Sequence, residues 1–392
     1  HACGLFQRHH LPDILLAPIP ERRDVARYGR ERLIAAHLAN TPPAVVRAKP
    51  VGMVAGSDLS KLGFNLFLGP SLDVLESPEA TLGNELGAGV FGGDPFWVAK
   101  LGQAYIKGLH TGSEGKMIVV ARNFPGRGSS DRPEGAEPAT VRKLLEALRQ
   151  IELAPFFAVT GNAPDNLSKA DGLLVSHIRY QGFQGNIRAT TRPVSFDSQA
   201  LTQILSLPEF ATWSEEGGLL VSDDLGSDTV RGFYDPTGTS FQGRLVARDA
   251  LLAGNDLLYL GNIRSSDKPD TYETVLNILM FFTQKYKEDT AFAQRVDQAV
   301  ERILAAKLKT YGKFQLSNVV SPRSDLNLVG SSEAVSFKVA REAATLVSPD
   351  SLDLETLIPA PPDESAKIVF ITDSRSVTQC SSCPEKPMLA VY

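Results

Sequence analysis

The sequence predicts an α/β fold in which helices cover a parallel sheet. Short apolar runs alternate with helical patterns over about 300 residues, the arrangement that a parallel sheet requires. In addition, the apolar run 218–222 stops at Asp223 and Asp224, as a buried parallel strand does when it delivers a charged group to the rim of an α/β barrel. The same Ser-Asp-Asp sequence is also typical of a helix N-cap or a turn.

The predicted strands are short runs of apolar residues. In chain order they cover residues 13–17, 64–68, 117–121, 155–159, 171–176, 218–222 and 256–260. The predicted helices cover residues 138–150, 289–311 and 331–346, and another begins near Asp94. In the first of these helices the apolar residues follow the i, i+3, i+4, i+7 spacing of one helix face. Gly312 is a C-terminal stop for the second.

The chain changes character after Gly312. At 392 residues it exceeds the roughly 250 to 300 at which single cores stop growing, so a large domain and a smaller piece are expected. Residues 313–330 are polar and rich in turn formers, and residues 348–365 are rich in proline. A predicted strand at 367–372 resembles the opening of a second α/β unit. We therefore predict a barrel domain over residues 1–312, then a linker, a helix and an incomplete second α/β region over 313–392.

Composition argues against several classes of protein. The net charge of −5 disfavours a nucleic-acid partner. No apolar run reaches the roughly 20 residues of a membrane span. The chain begins at His1 and not at methionine, as expected of a processed or incomplete chain. Cys380 and Cys383 form a Cys-x-x-Cys without a second ligand pair nearby, so we expect a local disulfide or two free thiols, and no metal site.

Two glycine-rich stretches are candidates for cofactor binding. Residues 87–92 fit Gly-x-Gly-x-x-Gly, but no strand precedes them and no acidic strand end follows about 20 residues later, as dinucleotide binding requires. Residues 124–131 follow the strand 117–121 but lack the Gly-Lys-Ser/Thr ending of a P-loop. We therefore predict that the protein uses no cofactor.

The second glycine-rich stretch belongs to a set of motifs that resembles a known family. Ala121-Arg122-Asn123-Phe124-Pro125-Gly126-Arg127-Gly128 resembles the Lys-His-Phe-Pro-Gly-His-Gly motif of glycoside hydrolase family 3, particularly its β-N-acetylhexosaminidase branch. Five further landmarks follow the family's order, at residues 69–74, 91–95, 176–178, 221–225 and 253–256. The resemblance covers residues 60–312 well.

The resemblance implies a (β/α)8 TIM-like barrel that hydrolyses β-linked sugars with retention of configuration. Such chemistry uses one carboxylate as nucleophile and a second group, about 5 Å away, as proton donor. Asp223 matches the family's nucleophile. The positions that hold sugar hydroxyls in the family correspond to Asp73, Arg122, Asn123 and His177, although a histidine at such a strand end can also be a core residue. The implied partner is a carbohydrate, and the implied location is extracytoplasmic or at the cell envelope.

This sequence also departs from the family pattern. The family's proton donor is a histidine in an Asp-x-His pair, but the loop 129–137 contains no histidine. Asp131 is the candidate for the family's aspartate, and Glu134 or Glu137 is the candidate proton donor. A proton donor from another domain is the alternative source. Because such a donor contributes roughly 10² to 10⁴ in rate, the second hypothesis is a catalytically inactive barrel that acts as a carbohydrate-binding or structural subunit with a protein partner.

Overall fold

The computed structural model describes residues 43–75, 90–133, 135, 137–320, 322–343, 376–377 and 386–387. The predicted strands at 13–17 and 367–372, the glycine motif at 87–92 before Val90, and Glu134 lie outside these residues. The described residues from 43 to 343 form one compact unit, and the remaining four belong to a second. The predicted domain boundary at residue 312 stays a prediction.

The strands are β1 (Leu66–Ser71), β2 (Ile118–Phe124), β3 (Thr140–Val141), β4 (Gly172–Val175), β5 (Arg179–Tyr180), β6 (Leu219–Ser222), β7 (Ser376–Val377) and β8 (Lys386–Pro387). The helices are α1 (Pro43–Lys61), α2 (Pro95–Gly112), α3 (Leu145–Gln150), α4 (Ala154–Ala158), α5 (Gln181–Gln184), α6 (Ser198–Leu205), α7 (Pro208–Glu215), α8 (Asp228–Tyr234), α9 (Gly243–Ala253), α10 (Thr271–Glu288), α11 (Thr290–Tyr311), α12 (Leu316–Val319) and α13 (Glu333–Ala343). Short 3₁₀ helices cover Asn166–Ser168, Val194–Phe196 and Arg323–Leu328.

The main sheet is parallel. Within the described residues its strands lie in the order β1, β2, β4, β6. Leu257 forms a parallel bridge with Val221 and extends the sheet beyond β6. The strands β3 and β5 form a small parallel pair, and β7 pairs with β8 in antiparallel orientation.

Both faces of the main sheet are buried. Val119, Leu173 and Leu220 belong to the large core that the sheet shares with the helices. The alternate residues Val120, Leu174 and Val221 form a separate buried cluster on the opposite face. Because successive side chains of a strand point to opposite faces, this division gives the sheet an outer and an inner core, as in the interior of an α/β barrel.

Glycines allow close packing of the first two helices. A Cβ atom on Gly52 or Gly56 of α1 would lie 2.3 Å from the carbonyl oxygen of Tyr105 or Leu109, respectively, on α2. A Cβ on Gly108 or Gly112 of α2 would lie 2.2 or 2.0 Å from a carbonyl of α1. The two helix backbones therefore touch directly, and this contact holds α1 against the core.

Most predicted elements are present, and some predictions were wrong. The predicted strand 155–159 is helix α4, in which Pro155 occupies a first-turn position that suits proline. The predicted helix 138–150 begins only at Leu145, because Thr140 and Val141 pair with β5. The predicted strand 256–260 contributes one bridge and no ladder. The helix at 289–311 is confirmed, with Asp289 as its N-cap and Gly312 as its C-cap.

Candidate active site at the carboxyl ends of the parallel strands

Four neighbouring strands end at one edge of the sheet. Asp73 follows β1, Asn123 lies at the end of β2, His177 follows β4 and Asp223 follows β6. Because the strands are parallel, their carboxyl ends share that edge. The structure thus places these predicted site residues at the rim where α/β barrels keep their active sites.

Asp73 is completely buried and fully engaged by the protein. Its Oδ2 atom accepts hydrogen bonds from Ser71 Oγ, at 2.9 Å, and from the Asn123 side-chain amide. Its Oδ1 atom accepts a 2.7 Å hydrogen bond from the backbone N–H of Arg127, whose guanidinium Nε lies 3.9 Å from Oδ2. These contacts offset the cost of burying the charge and connect the end of β1 to the loop after β2.

The adjacent residues Arg122 and Asn123 differ in their environments. Asn123 is buried and has a φ of +69°, a left-handed conformation that asparagine tolerates better than most residues. Its side chain also donates to Ser71 Oγ at 3.2 Å. Arg122 is half-buried, and its guanidinium has no hydrogen-bond or ion-pair partner within the described part of the chain. Its guanidinium is therefore a cationic donor at this rim that no described group engages.

The loop after β2 rests on a buried carboxylate that the sequence analysis missed. Glu152 is fully buried, and its Oε1 accepts a 2.6 Å hydrogen bond from Lys143 Nζ and another from Ser129 Oγ. The hydroxyl of Tyr180 lies 2.7 Å from the carbonyl oxygen of Pro125. Burial, with the nearby charges of Glu152 and Asp73, raises the pKa of Tyr180, so this hydroxyl keeps its proton and donates. Gly128 is needed at the loop, since a Cβ there would lie 2.0 Å from the carbonyl oxygen of Val74.

The candidate catalytic residue Asp131 is engaged in local contacts. Its Oδ1 accepts a 2.9 Å hydrogen bond from the backbone N–H of Thr140, and its carboxylate pairs with Arg142 at 3.2 Å and Arg132 at 3.3 Å. Glu137 is exposed and pairs with Arg132. Asp131 therefore ties the loop 129–137 to β3. Its catalytic role, like that of Glu134, stays a prediction.

The loop 129–137 also contacts the helix that follows the β6 end. The Thr229 hydroxyl on α8 donates a 2.5 Å hydrogen bond to the carbonyl oxygen of Gly135. Burial lowers the pKa of Arg179 on β5, and the nearby charges of Glu137 and Asp131 partly oppose this effect. A hydrogen bond to Gly135 therefore connects the loop to the helix that follows β6.

Both ring nitrogens of His177 have protein partners. Nδ1 lies 2.8 Å from Ser195 Oγ, and Nε2 lies 3.0 Å from the backbone carbonyl oxygen of Asp224. The ring stacks on Phe196 at 5.3 Å between centroids. Burial lowers the pKa of His177, and the negative charge of Asp223 only partly opposes this effect. His177 is thus a buried neutral imidazole, and its role in sugar binding stays a prediction.

Asp223 and Asp224 have different environments. Asp223 Oδ1 accepts a 2.8 Å hydrogen bond from the backbone N–H of Asp224, and no described cation pairs with its carboxylate. Asp224 instead forms a turn, in which its Oδ1 accepts from Gly226 N at 2.8 Å; burial raises its pKa. The N-cap of α8 is Ser227, so neither aspartate caps that helix. The helix-cap interpretation was wrong, and the turn interpretation holds for Asp224.

One buried histidine lies away from this rim. His110 lies in the last turn of α2 and is buried. Its Nδ1 lies 2.8 Å from the Leu167 carbonyl oxygen and its Nε2 lies 2.8 Å from Asp171 Oδ2. Both partners are acceptors, which requires a protonated ring. Burial alone would lower the pKa of His110, but the hydrogen bond and charge of Asp171 outweigh it and raise the pKa.

Two kinds of feature are absent from the described residues. No group of three or more His, Cys, Asp and Glu side chains there has an arrangement that could hold a metal ion. The predicted local pair, Cys380 and Cys383, lies outside those residues. None of the helices described is both long and apolar enough to cross a membrane.

Comparisons with known proteins give a consistent family. The model described as "Glycosyl hydrolase family 3 N terminal domain" matches residues 33–306. A curated protein named "Beta-hexosaminidase" from Pseudomonas aeruginosa (strain LESB58) is 27% identical over 260 residues, which are 65% of this chain and 68% of that protein. The names of these relatives support a glycoside hydrolase function.

Solved structures show the same fold at low identity. A fungal multi-domain GH3 β-N-acetylglucosaminidase matches with a TM-score of 0.63 and 22% identity, over 82% of this chain and 34% of that one. A β-N-acetylhexosaminidase from Beutenbergia cavernae DSM 12333 matches with a TM-score of 0.53 and 22% identity, over 67% of this chain and 68% of that one. This chain thus spans about a third of the length of the fungal protein. The likeness, together with the parallel sheet, confirms the predicted fold class.

Proposed function

The chain belongs to glycosyl hydrolase family 3, and we propose that it hydrolyses β-linked N-acetylhexosaminides with Asp223 as the nucleophile. The names of the curated relatives support the substrate class. One observation carries the assignment of Asp223. Its carboxylate stands at the carboxyl end of β6 and has a single backbone donor and no cation among the described residues. It is therefore the rim carboxylate that is least committed to holding the fold together.

The proposed reaction proceeds in two displacements. An Asp223 carboxylate oxygen attacks the anomeric carbon while the glycosidic C–O bond breaks, and a general acid protonates the leaving oxygen. The glycosyl ester on Asp223 is then cleaved by water. The same group, now a base, removes the proton from that water as its oxygen attacks the anomeric carbon and releases the carboxylate. Two inversions at one carbon retain the configuration.

Glu134 is the proposed proton donor. Asp131, on the same loop, already receives a backbone hydrogen bond and pairs with two arginines. Gly135, the residue after Glu134, is hydrogen-bonded to Thr229 on the helix that follows Asp223. That contact connects the loop to the helix beside the proposed nucleophile, and it supports the choice of the loop residue Glu134 over Asp131. Asp131 would then act only by holding the loop.

Arg122 is the proposed principal sugar-binding residue. It lies at the end of β2 with its donors unengaged by described residues, and an arginine fork suits hydroxyl and carbonyl oxygens. Asn123 and Asp73 are bonded to one another, so we propose that they shape the pocket beside Arg122. A carbohydrate substrate and an extracytoplasmic or cell-envelope location accord with this function.

The second candidate function is a barrel without catalytic activity that binds carbohydrate or serves as a structural subunit for a protein partner. One observation favours it. Asp73 is completely buried and has Ser71, Asn123 and Arg127 as donors, so none of its surface reaches a ligand. The absence of a histidine from the loop 129–137 points in the same direction.

An aryl β-glycoside panel distinguishes the two functions. We expect turnover of the N-acetylglucosaminide and its reduction to the background rate by Asp223→Asn. Asp228→Asn is the matched control, because Asp228 is exposed in the first turn of α8, and it should retain parent activity. No turnover on any substrate, or equal effects of the two variants, would refute the enzymatic proposal.

The proton donor is tested separately with variants of the two loop glutamates. Glu134→Gln should lower kcat/KM by about 10² or more on substrates with poor leaving groups and by much less on activated aryl glycosides, which need little protonation. Glu137→Gln is the control on the same loop. If the Glu137 variant alone shows this leaving-group dependence, the assignment of Glu134 is wrong.

A further inference from the structure

Ser195 and His177 form a buried chain of hydrogen bonds that ends at the peptide next to Asp223. Ser195 is completely buried on the 3₁₀ helix Val194–Phe196, and its hydroxyl lies 2.8 Å from His177 Nδ1. The backbone carbonyl of Ser195 accepts a 2.9 Å hydrogen bond from the amide of Asn255. His177 Nε2 lies 3.0 Å from the carbonyl oxygen of Asp224. These hydrogen bonds thus connect four separate parts of the chain, at His177, Ser195, Asp224 and Asn255.

The partners of His177 determine which nitrogen carries the proton. A backbone carbonyl oxygen can only accept, so Nε2 carries the hydrogen and donates to Asp224. A hydroxyl can donate to a bare ring nitrogen, so Ser195 satisfies Nδ1 without a second ring proton. The ring is buried and stacked on Phe196, where a positive charge would lose its hydration. The arrangement therefore favours one neutral tautomer.

The Asp224 carbonyl is connected to the Asp223 carboxylate through the backbone of Asp224. The backbone N–H of Asp223 donates to the Val175 carbonyl at 3.1 Å, which fixes the peptide before it. The N–H of Asp224 donates to Asp223 Oδ1, which sets the direction of the carboxylate. His177 holds the carbonyl of that same residue, Asp224. Both ends of Asp224 are thereby constrained, and with them the Asp223 carboxylate.

We propose that Ser195 holds His177 in its neutral Nε2–H form and that His177, through the Asp224 carbonyl, positions Asp223 for attack. Both act here as positioning residues, because the Ser195 hydroxyl and both ring nitrogens of His177 are engaged by protein groups. The catalytic part of this proposal rests on the proposed function, in which Asp223 is the nucleophile. The tautomer part does not depend on it. Removing the Ser195 hydroxyl leaves Nδ1 open to a proton, and the resulting imidazolium would pair with Asp223 and weaken it as a nucleophile.

The first experiment measures kinetics against pH. Ser195→Ala should lower kcat about tenfold with KM changed less than twofold, since misplacement of a reacting group costs rate more than binding. The acid limb of the pH profile of kcat should move to higher pH, because His177 gains a proton more easily in this variant. Among the described residues, Asp223 acts on this ring through its charge and Asp224 acts only through its backbone, and neither residue is altered. Ser195→Thr, which keeps the hydroxyl, should recover most of the rate and the parent acid limb.

Ser176→Ala is the matched control. Ser176 precedes His177, and its hydroxyl is buried without a hydrogen-bond partner among the described residues. The Ser176→Ala substitution should leave kcat and the acid limb of its pH profile unchanged. If Ser195→Ala behaves like Ser176→Ala, or if its acid limb stays at the parent position, the positioning role is refuted.

The second experiment requires neither an activity measurement nor a variant of Ser195. In protein labelled with ¹⁵N-histidine, the His177 signals, assigned by their loss in His177→Gln, should report a bare Nδ1 and a protonated Nε2 from pH 5 to 8. An ordinary titration near pH 6.5 in the parent protein would overturn the proposal. A protein with the expected tautomer but no glycosidase activity would refute the proposed function and its catalytic extension, and leave the Ser195–His177 tautomer assignment intact.

Discussion

Gly108→Ala tests whether the direct backbone contact of α1 and α2 stabilises the domain. A Cβ at residue 108 would lie 2.2 Å from the carbonyl oxygen of Lys49 and 2.8 Å from the Cα of Gly52. Ordinary contact begins at 3.4 Å, so the helices would have to separate locally by about 1 Å. Both neighbours are backbone atoms, which a rotamer change cannot move away.

The expected destabilisation follows from two opposing effects. Overpacking of this kind costs about 1–3 kcal/mol, and more where backbone must shift. Replacing glycine by alanine inside a helix stabilises the folded state by about 1 kcal/mol, because alanine has the higher helix propensity. Because the neighbours here are backbone atoms, we take the upper part of the overpacking range, about 2–3 kcal/mol. We therefore expect a net loss of about 1–2 kcal/mol in the free energy of unfolding, or roughly 2–8 °C in Tm for a domain of this size. Urea titration and thermal unfolding measure both quantities.

Gly102→Ala is the matched control on the same helix. It carries the same propensity gain, but its Cβ would meet the Cδ2 atom of Leu72 at 2.6 Å, the mobile end of a side chain. We expect it to be clearly less destabilising than Gly108→Ala. A Gly108→Ala protein as stable as the parent, or no less stable than Gly102→Ala, would show that the backbones of α1 and α2 are not in direct contact.

Three further predictions concern buried charges and a helix cap. Because the pKa of His110 is raised in the fold, its pair with Asp171 should stabilise fully below the unfolded histidine pKa of about 6.5 and lose this contribution as pH rises through the folded pKa. His110→Gln should abolish that fall in unfolding free energy between pH 6 and 9, and an equal fall in parent and variant would contradict it. Lys143→Met should cost about 3 kcal/mol by leaving the buried Glu152 without its cation, and adding Glu152→Leu should recover part of that loss in urea titrations. Asp197→Ala should cost about 1 kcal/mol, since Asp197 caps α6 through Ala200 N; an unchanged urea midpoint would refute the capping role.

Strands that alternate with clear turn signals were predictable from the sequence. The runs around β2, β4 and β6 are apolar on both faces because both faces of the sheet are buried, and such runs are easily recognised. The run 155–159 is equally apolar, but it lies under the sheet as α4, where Phe156 packs on Phe124 at 5.3 Å between centroids. A short apolar run does not distinguish a buried strand from a buried helix. Pro155, which suits the first turn of a helix, is the residue that favours the helix here.

The rim of the site was predictable, but the groups that support it were not. Asp73, Asn123 and Asp223 follow strands, and parallel topology then places them at one edge. Ser195 lies 18 residues after His177, and Glu152 lies 23 residues after Ser129. Neither spacing matches a helix face or a strand alternation, so only the folded chain brings these partners together. The family motifs predicted roles for residues at the rim, but they predicted none for Ser195 and Glu152.

Asp223 at the carboxyl edge of the sheet differs from the buried carboxylates at the amino edge. At the amino edge, Asp171 pairs with Lys309 and His110, and Asp256 pairs with Arg295 at 2.9 Å. These carboxylates have cations and backbone donors, so they stabilise the fold and have little left to offer a ligand. At the carboxyl edge, Asp223 has no described cation and is held only through its backbone and its neighbour Asp224. In barrels of this kind the active site lies at that edge, and a carboxylate without a close counter-ion has oxygen lone pairs available for attack on carbon. Variants at the amino edge should therefore change stability without changing the pH profile of hydrolysis, whereas Ser195→Ala should change that pH profile.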